Sequence, residues 1–188
     1  MKRMIVVGLG VLSLCIWLGQ TTVAQEKTPV GHTDQTFVHM ASNGGVAEVK
    51  LGQLAIERAA SPEVKQFGQR MVTDHTKANQ ELAIIVQAKN MPIAPELDPQ
   101  HRAMADKLAT LQGAAFDQEY LQGQVTDHEQ TIALFTTQIK EGQDADLKAF
   151  ASKTLPTLQE HLHMVQALVA KQPSEHARQQ RSEGKRRP

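Results

Sequence analysis

The stretch Ser61 to Asn79, SPEVKQFGQRMVTDHTKAN, decides how this chain folds. Ser61, Pro62 and Glu63 together spell a helix start. The hydroxyl accepts from an orphan amide, the proline presets φ, and the acid sits at the positive end of the helix dipole. From there Val64, Phe67, Met71, Ala78, Leu82 and Ile85 recur at spacings of three, four or seven, the period of one helix face. His75 falls on that apolar face between Met71 and Leu82, with Asp74 one position around. A buried histidine beside an aspartate is costly in a core, so it asks for a chemical reason.

The same rhythm returns on either side. Thr36 to Ala60 carries Phe37, Ala41, Gly44, Leu51 and Ala55 at helical spacing. Asn90 to Pro99 contains three prolines and ends the second helix. A short helix is predicted over Gln100 to Leu111, and a third long one over Gly113 to Lys140 with Leu121, Val125, Ile132, Phe135 and Ile139 inward. Gly142 breaks it, Asp144 caps the next, and Leu147, Ala151, Leu158, Val165 and Leu168 mark a fourth. No segment alternates like a strand. The fold class is therefore all-α, with four long helices in two hairpins. The connection between the hairpins, about 22 residues with the short helix inside it, can run the length of a bundle, as in ferritin-like folds. The hairpins also repeat weakly. Phe37, Val46 and Glu48 superpose on Phe116, Val125 and Asp127 at an offset of 79, and Val64 to Phe67 match Leu147 to Phe150.

Each long helix carries an ionisable residue in its apolar stripe: Glu48, His75, His128 and His161. Val-Thr-Asp-His occurs twice, at Val72 to His75 and Val125 to His128, so Asp74 and Asp127 stand beside two of the histidines. Glu48 and His75 are each about 13 residues from the Ser61 turn, roughly 20 Å up the first hairpin. His128 and His161 are similarly placed in the second. Imidazoles and carboxylates converging from four helices suit one divalent transition metal such as Zn, Cu or Fe. Glu48, His75, His128 and His161 are the candidate ligands; Asp74, Asp127, Glu160 and His163 are the candidate supports behind them. The competing reading is a buried polar network without metal that fixes helix register or senses acid. A carboxylate-bridged di-iron centre is disfavoured, because Val72 occupies the glutamate position before His75. No nucleophile–base pair is evident either, which argues against an enzyme.

Weaker signals accompany these. Gly44-Gly45 inside the first helix implies close helix approach or a bend. Pro156 implies a kink before His161. Met40, Met71, Met104 and Met164 read as core fillers more than copper ligands. His39, His101 and His176 lie off the stripes and read as solvated.

Residues 1–24 read as an export signal: Lys2 and Arg3, an apolar run from Met4 to Leu18, and Thr22-Val23-Ala24 as the cleavage site. The run is short for a membrane span, so cleavage is favoured over a retained anchor. Cys15 is the only cysteine and lies in that segment, so the mature chain holds together without disulfides. Residues 25–35 read as a linker, 36–170 as the bundle domain and 171–188 as a disordered tail. That tail has six basic residues against two acidic ones, while Gln25 to Ala170 is acidic by six. Aromatics are few and the basic cluster is confined to the tail, which excludes a nucleic-acid surface. Contact of the tail with anionic lipid or envelope polymer is the partner expectation, and the protein is expected in the periplasm or secreted.

FVHMASNGGVAEVKLGQLAIERAA (Phe37 to Ala60), VKQFGQRMVTDHTKAN (Val64 to Asn79), VTDHEQTIALF (Val125 to Phe135) and LKAFASKTLPTLQEHL (Leu147 to Leu162) together resemble one bacterial exported family. It is the family catalogued as domain of unknown function 4142, and the likeness runs from about Thr36 to Leu168. The resemblance implies a ferritin-like four-helix fold and export. Its recurring Glu, Asp-His, Asp-His and His positions correspond to Glu48, Asp74-His75, Asp127-His128 and His161.

Overall fold

The computed structural model describes residues 31–93 and 96–172. The signal segment, and the basic tail beyond Gln172, lie outside the described residues. The chain forms α1 (His32–Arg58), α2 (Pro62–Ala88), α3 (Pro99–Ala109), α4 (Gly113–Glu141) and α5 (Ala145–Lys171). Helix starts follow the local chemistry. Ser61 Oγ accepts from the Val64 amide at 3.4 Å, and Asp98 accepts from the His101 amide at 2.9 Å with Pro99 next. Asp144 accepts from the amides of Asp146 and Leu147 at 3.1 and 3.0 Å. Gly113 opens α4 at φ 64°, a left-handed value that a side chain would strain. α1 begins at His32 rather than Thr36, so its first turn takes in residues expected to be linker.

Asp34 explains that earlier start. Its buried carboxylate accepts from the amides of Gly31 (2.9 Å), Gln143 (3.2 Å) and Asp144 (3.2 Å), and from the Gln138 side chain (2.6 Å). Burial alone would raise its pKa, but these donors outweigh it and hold the carboxyl below its ordinary range. At the other end Asp117, in the first turns of α4, accepts from the amides of Ala60 and Ser61 at 2.9 and 3.0 Å. Each hairpin turn is thus tied by an aspartate from the opposite hairpin.

These ties set the directions. α1 starts beside the α4–α5 turn, and α4 starts beside the α1–α2 turn, so α1 packs antiparallel to α4. α2 likewise packs antiparallel to α5. α2 and α4 run the same way, so the connection carrying α3 must return along the bundle, the ferritin-like arrangement. α3 lies over the seam between α1 and α4, with Ala105 and Leu108 buried in the core. Within the first hairpin the backbones meet closely. A Cβ on Gly52 would stand 2.8 Å from the Gly68 carbonyl oxygen, and one on Gly45 would meet Asn79. α5 continues through Pro156 as one helix.

The core is divided. One apolar cluster, including Phe67, Met71, Phe116 and Leu121, fills the end near Asp117. A second, including Phe37, Leu82, Phe135 and Phe150, fills the end near Asp34, with Phe37 and Phe135 edge to face at 4.9 Å. Between them, at mid-bundle, lies a layer of buried polar side chains.

Candidate metal centre

That layer is assembled from all four long helices, because each apolar stripe is interrupted at the same height. α2 supplies His75, α4 supplies Gln124 and His128, α5 supplies His161 and α1 supplies Glu48, all buried. The three rings form a triangle, with centroids 5.4 Å apart for His75–His161 and His128–His161 and 5.9 Å for His75–His128. One nitrogen from each lies within 4.8 Å of the others.

Hydrogen-bond partners fix the tautomers of His128 and His161. His128 Nδ1 is 2.9 Å from the Gln124 carbonyl oxygen, which can only accept, so Nδ1 carries the proton and Nε2 a lone pair. His161 Nε2 is 2.8 Å from Asp74 Oδ2 and donates to it, which leaves the lone pair on Nδ1. These two unprotonated nitrogens face each other at 3.4 Å. His75 Nε2 is buried with no hydrogen-bond partner. Burial first, and then the other rings, push His75 well below the usual imidazole range. Burial also lowers His128 and His161. Two neutral rings therefore direct lone pairs at one space, and the neutral His75 ring has a nitrogen within 4.8 Å of theirs. An imidazole-only donor set suits Zn, Cu, Fe or Ni and does not suit Mg or Ca. The orphaned nitrogen and the facing lone pairs fit a bound cation.

The remaining predicted residues surround this group at different removes. Asp74 is the support behind His161, and Arg70 on the preceding turn pairs with it. Glu48 is not brought into the group. Its Oε1 lies 3.7 Å from Nδ1 of His128, the side facing away from the triangle, and its Oε2 accepts from Gln124 Nε2 at 2.7 Å. Burial raises the Glu48 carboxyl to about 8, against the Gln124 bond and with help from Asp127. Asp127 is buried toward α3, and burial raises its pKa despite His101 and His128 nearby. Glu160 is exposed and reaches the centre only through Arg70, 3.1 Å away. His163 is exposed on the side of α5 that lines a surface groove with Arg70. His101 is not solvated as expected: its ring is 17% exposed and bonds Asp98 at 2.6 Å. Met71 packs in the core and Met40 is exposed.

Gln124 is the residue that sequence reasoning missed. Its carbonyl orients His128 and its amide holds Glu48. It sits three residues after Leu121 and four before His128, so the stripe itself could have revealed it. Tyr120, buried with its hydroxyl unpartnered, one turn before Gln124, was missed as well.

The fold and site together define a helical bundle with a buried three-histidine centre. The chain belongs to the DUF4142 family, described as a domain of unknown function, which matches residues 19–168. No curated protein matches it significantly. Among solved structures it is similar to a DUF305 fragment from Deinococcus radiodurans, at TM-score 0.68 and 12% identity over 76% of this chain and 99% of that one. A DUF305 protein from Streptomyces coelicolor matches at TM-score 0.60 and 15% identity, over 74% and 93%. CopM in a Cu(II)-bound form matches at TM-score 0.61 and 17% identity, over 73% and 95%. CopM has also been solved in an Ag-bound form. At these identities the likeness is one of fold.

Proposed function

We propose that His75, His128 and His161 bind one transition-metal ion, and that the protein is an exported metal-binding bundle that buffers or sequesters that ion. The observation that carries this reading is the convergence of three neutral imidazoles, two of which have outward partners that leave their lone pairs facing inward. Asp74 would raise the basicity of His161 through the bond it already makes. CopM, a distant structural neighbour, is solved with copper and silver, so copper is the first ion to test beside zinc and iron. The N-terminal signal supports export, and among the described residues no helix is long and apolar enough to cross a membrane. The basic tail adds weak contact with an anionic envelope surface. The test is elemental analysis of the purified protein after exposure to Cu, Zn or Fe and desalting, repeated on His75→Ala and His128→Ala. One ion per chain, lost in both variants, is expected; a wild-type protein that retains none sinks the reading.

A second reading has its own observation. The 3.4 Å and 2.8 Å contacts of His161 can also be bridged by protons without metal, an imidazolium forming there as pH falls and donating to His128 and to Asp74. In that case the layer is a metal-free network that fixes helix register and senses acid. All three rings have folded pKa values below the usual one, so they contribute stability above about pH 6.5 that is lost as pH falls. Nitrogen-15 chemical shifts of the three rings at pH 7 and pH 5, with and without metal, distinguish the readings: a His161 that is neutral at pH 7, doubly protonated at pH 5 and unmoved by metal favours the network.

A further inference from the structure

The four seams of the bundle are closed in unequal ways. α1 and α2 meet through Gly52 and Gly68, and α4 and α5 are joined by a short turn. The seam between α1 and α4 is roofed by α3. The seam between α2 and α5 has no such cover among the described residues. It is crossed instead by charged side chains: Lys89 on Asp146 at 2.7 Å, Lys153 on Glu81 at 2.7 Å and Arg70 on Glu160 at 3.1 Å. Two of the three imidazoles, His75 and His161, sit on the helices of this seam, and so does Asp74.

Asp74 is the centre's link to solvent. It touches His161 Nε2 at 2.8 Å while 24% of its own side chain is exposed. It lines a shallow groove of about 130 Å³ with Lys77, Glu81 and Lys153. On the other side of Arg70, one turn back along α2, a larger groove of about 580 Å³ runs between Phe67, Thr73 and Met164. The Arg70 guanidinium stands between the grooves, holding Asp74 on its own helix and Glu160 on the facing one.

We infer that a metal cation enters and leaves the three-histidine centre through the α2–α5 seam, and that Arg70 is the latch and positioning residue of that route. This rests on the metal reading above. Closed, the guanidinium puts a positive charge across the entrance and holds Asp74 on His161, which keeps the His161 lone pair aimed inward. Open, it uncovers a carboxylate that attracts the cation to the entrance beside His161. The surface tie to Glu160 is what must break, and a partly exposed ion pair is weak enough to break often.

The test compares Glu160→Gln and Arg70→Gln with a control, Lys107→Gln. The control cuts the 2.6 Å tie of Lys107 to Glu119, which joins α3 to α4 on the roofed side. Two quantities are read: release of Zn²⁺ from the loaded protein into excess chelator, and carbethoxylation of His75 and His161 in the metal-free protein, located by peptide mass mapping. In Glu160→Gln both should rise roughly three- to fivefold, in line with the small contribution of such a tie, with Kd moving by no more than about twofold. Arg70→Gln should raise both further, and Lys107→Gln neither. Wild-type rates in Glu160→Gln and Arg70→Gln, or equal acceleration in Lys107→Gln, overturn the inference. A wild-type protein that retains no zinc, while Glu160→Gln still speeds modification of His75, overturns the metal reading and upholds the seam as the way in.

Discussion

The two copies of Val-Thr-Asp-His are identical in sequence and differ in almost every contact. In the α2 copy, Asp74 reaches across the bundle to His161 and pairs with Arg70, while His75 keeps a buried Nε2 with no partner. In the α4 copy, Asp127 is buried toward α3 and its neighbour His128 is oriented by a backbone carbonyl of its own helix. One aspartate is held below the ordinary carboxyl range, its hydrogen bonds to Arg70 and His161 outweighing burial; the other is raised by burial. The lesson is that a tetrapeptide places a side chain on a face, and the facing helix gives it a role.

That contrast can be broken in four ways. The largest effect should come from the imidazoles they share. His75→Leu and His128→Leu should each lower metal affinity roughly a hundredfold or more, since three donors are the whole set. Retention of stoichiometric ion by either variant in a competition titration would break the assignment. Next come the aspartates. Asp74→Asn should weaken the metal about 10- to 100-fold, as expected of a carboxylate behind a ligating histidine. Asp127→Asn should change it by less than about threefold, because Asp127 makes no such bond. Similar losses in both would erase the distinction.

Metal-free stability gives the third comparison. His75→Leu removes an orphaned buried nitrogen and should stabilise the metal-free protein by about 1–2 kcal/mol. His128→Leu removes a ring whose Nδ1–H bond to the Gln124 carbonyl is made, and should give no such gain. Urea denaturation in the presence of a chelator measures both. The fourth and smallest effect is a difference of sign with pH. The folded pKa of Asp74 lies below the ordinary 3.8, so its charge contributes stability that is present above that value and lost as pH falls through the lowered one. The folded pKa of Asp127 lies above 3.8, so its protonated form contributes stability that is present below 3.8 and lost as pH rises through the raised value. At pH 7 Asp74→Asn should therefore destabilise the metal-free protein and Asp127→Asn should not, with the two converging as pH falls through the lowered Asp74 value. Denaturation midpoints of equal sign at pH 7 would contradict this.

Much of the architecture was legible in local chemistry. Ser61-Pro62, Asp98-Pro99 and Asp144 announce three helix starts, and the inward stripes placed His75, His128 and His161 at one height before any contact was known. Asp34 was hidden because its partners, Gln138, Gln143 and Asp144, are more than 100 residues away in the chain. Arg70 carried no signal, since an exposed arginine on a helix is ordinary until its neighbours are known. Glu48 was correctly placed on an inward face, yet periodicity fixes only the rotation about one helix axis. It cannot say that Gln124, arriving from α4, would take up one Glu48 oxygen and leave the other behind His128.

By itself, then, the sequence determined the all-α class, the two hairpins with a long return between them, the buried polar layer and its three histidines. These follow from caps, turns and helical period, interactions that span a few residues. Only the tertiary structure decided which nitrogens face one another, which aspartate supports a histidine, and which seam is left uncovered by α3. Those choices depend on how four helices sit against one another, and that is settled by packing between residues far apart in the chain.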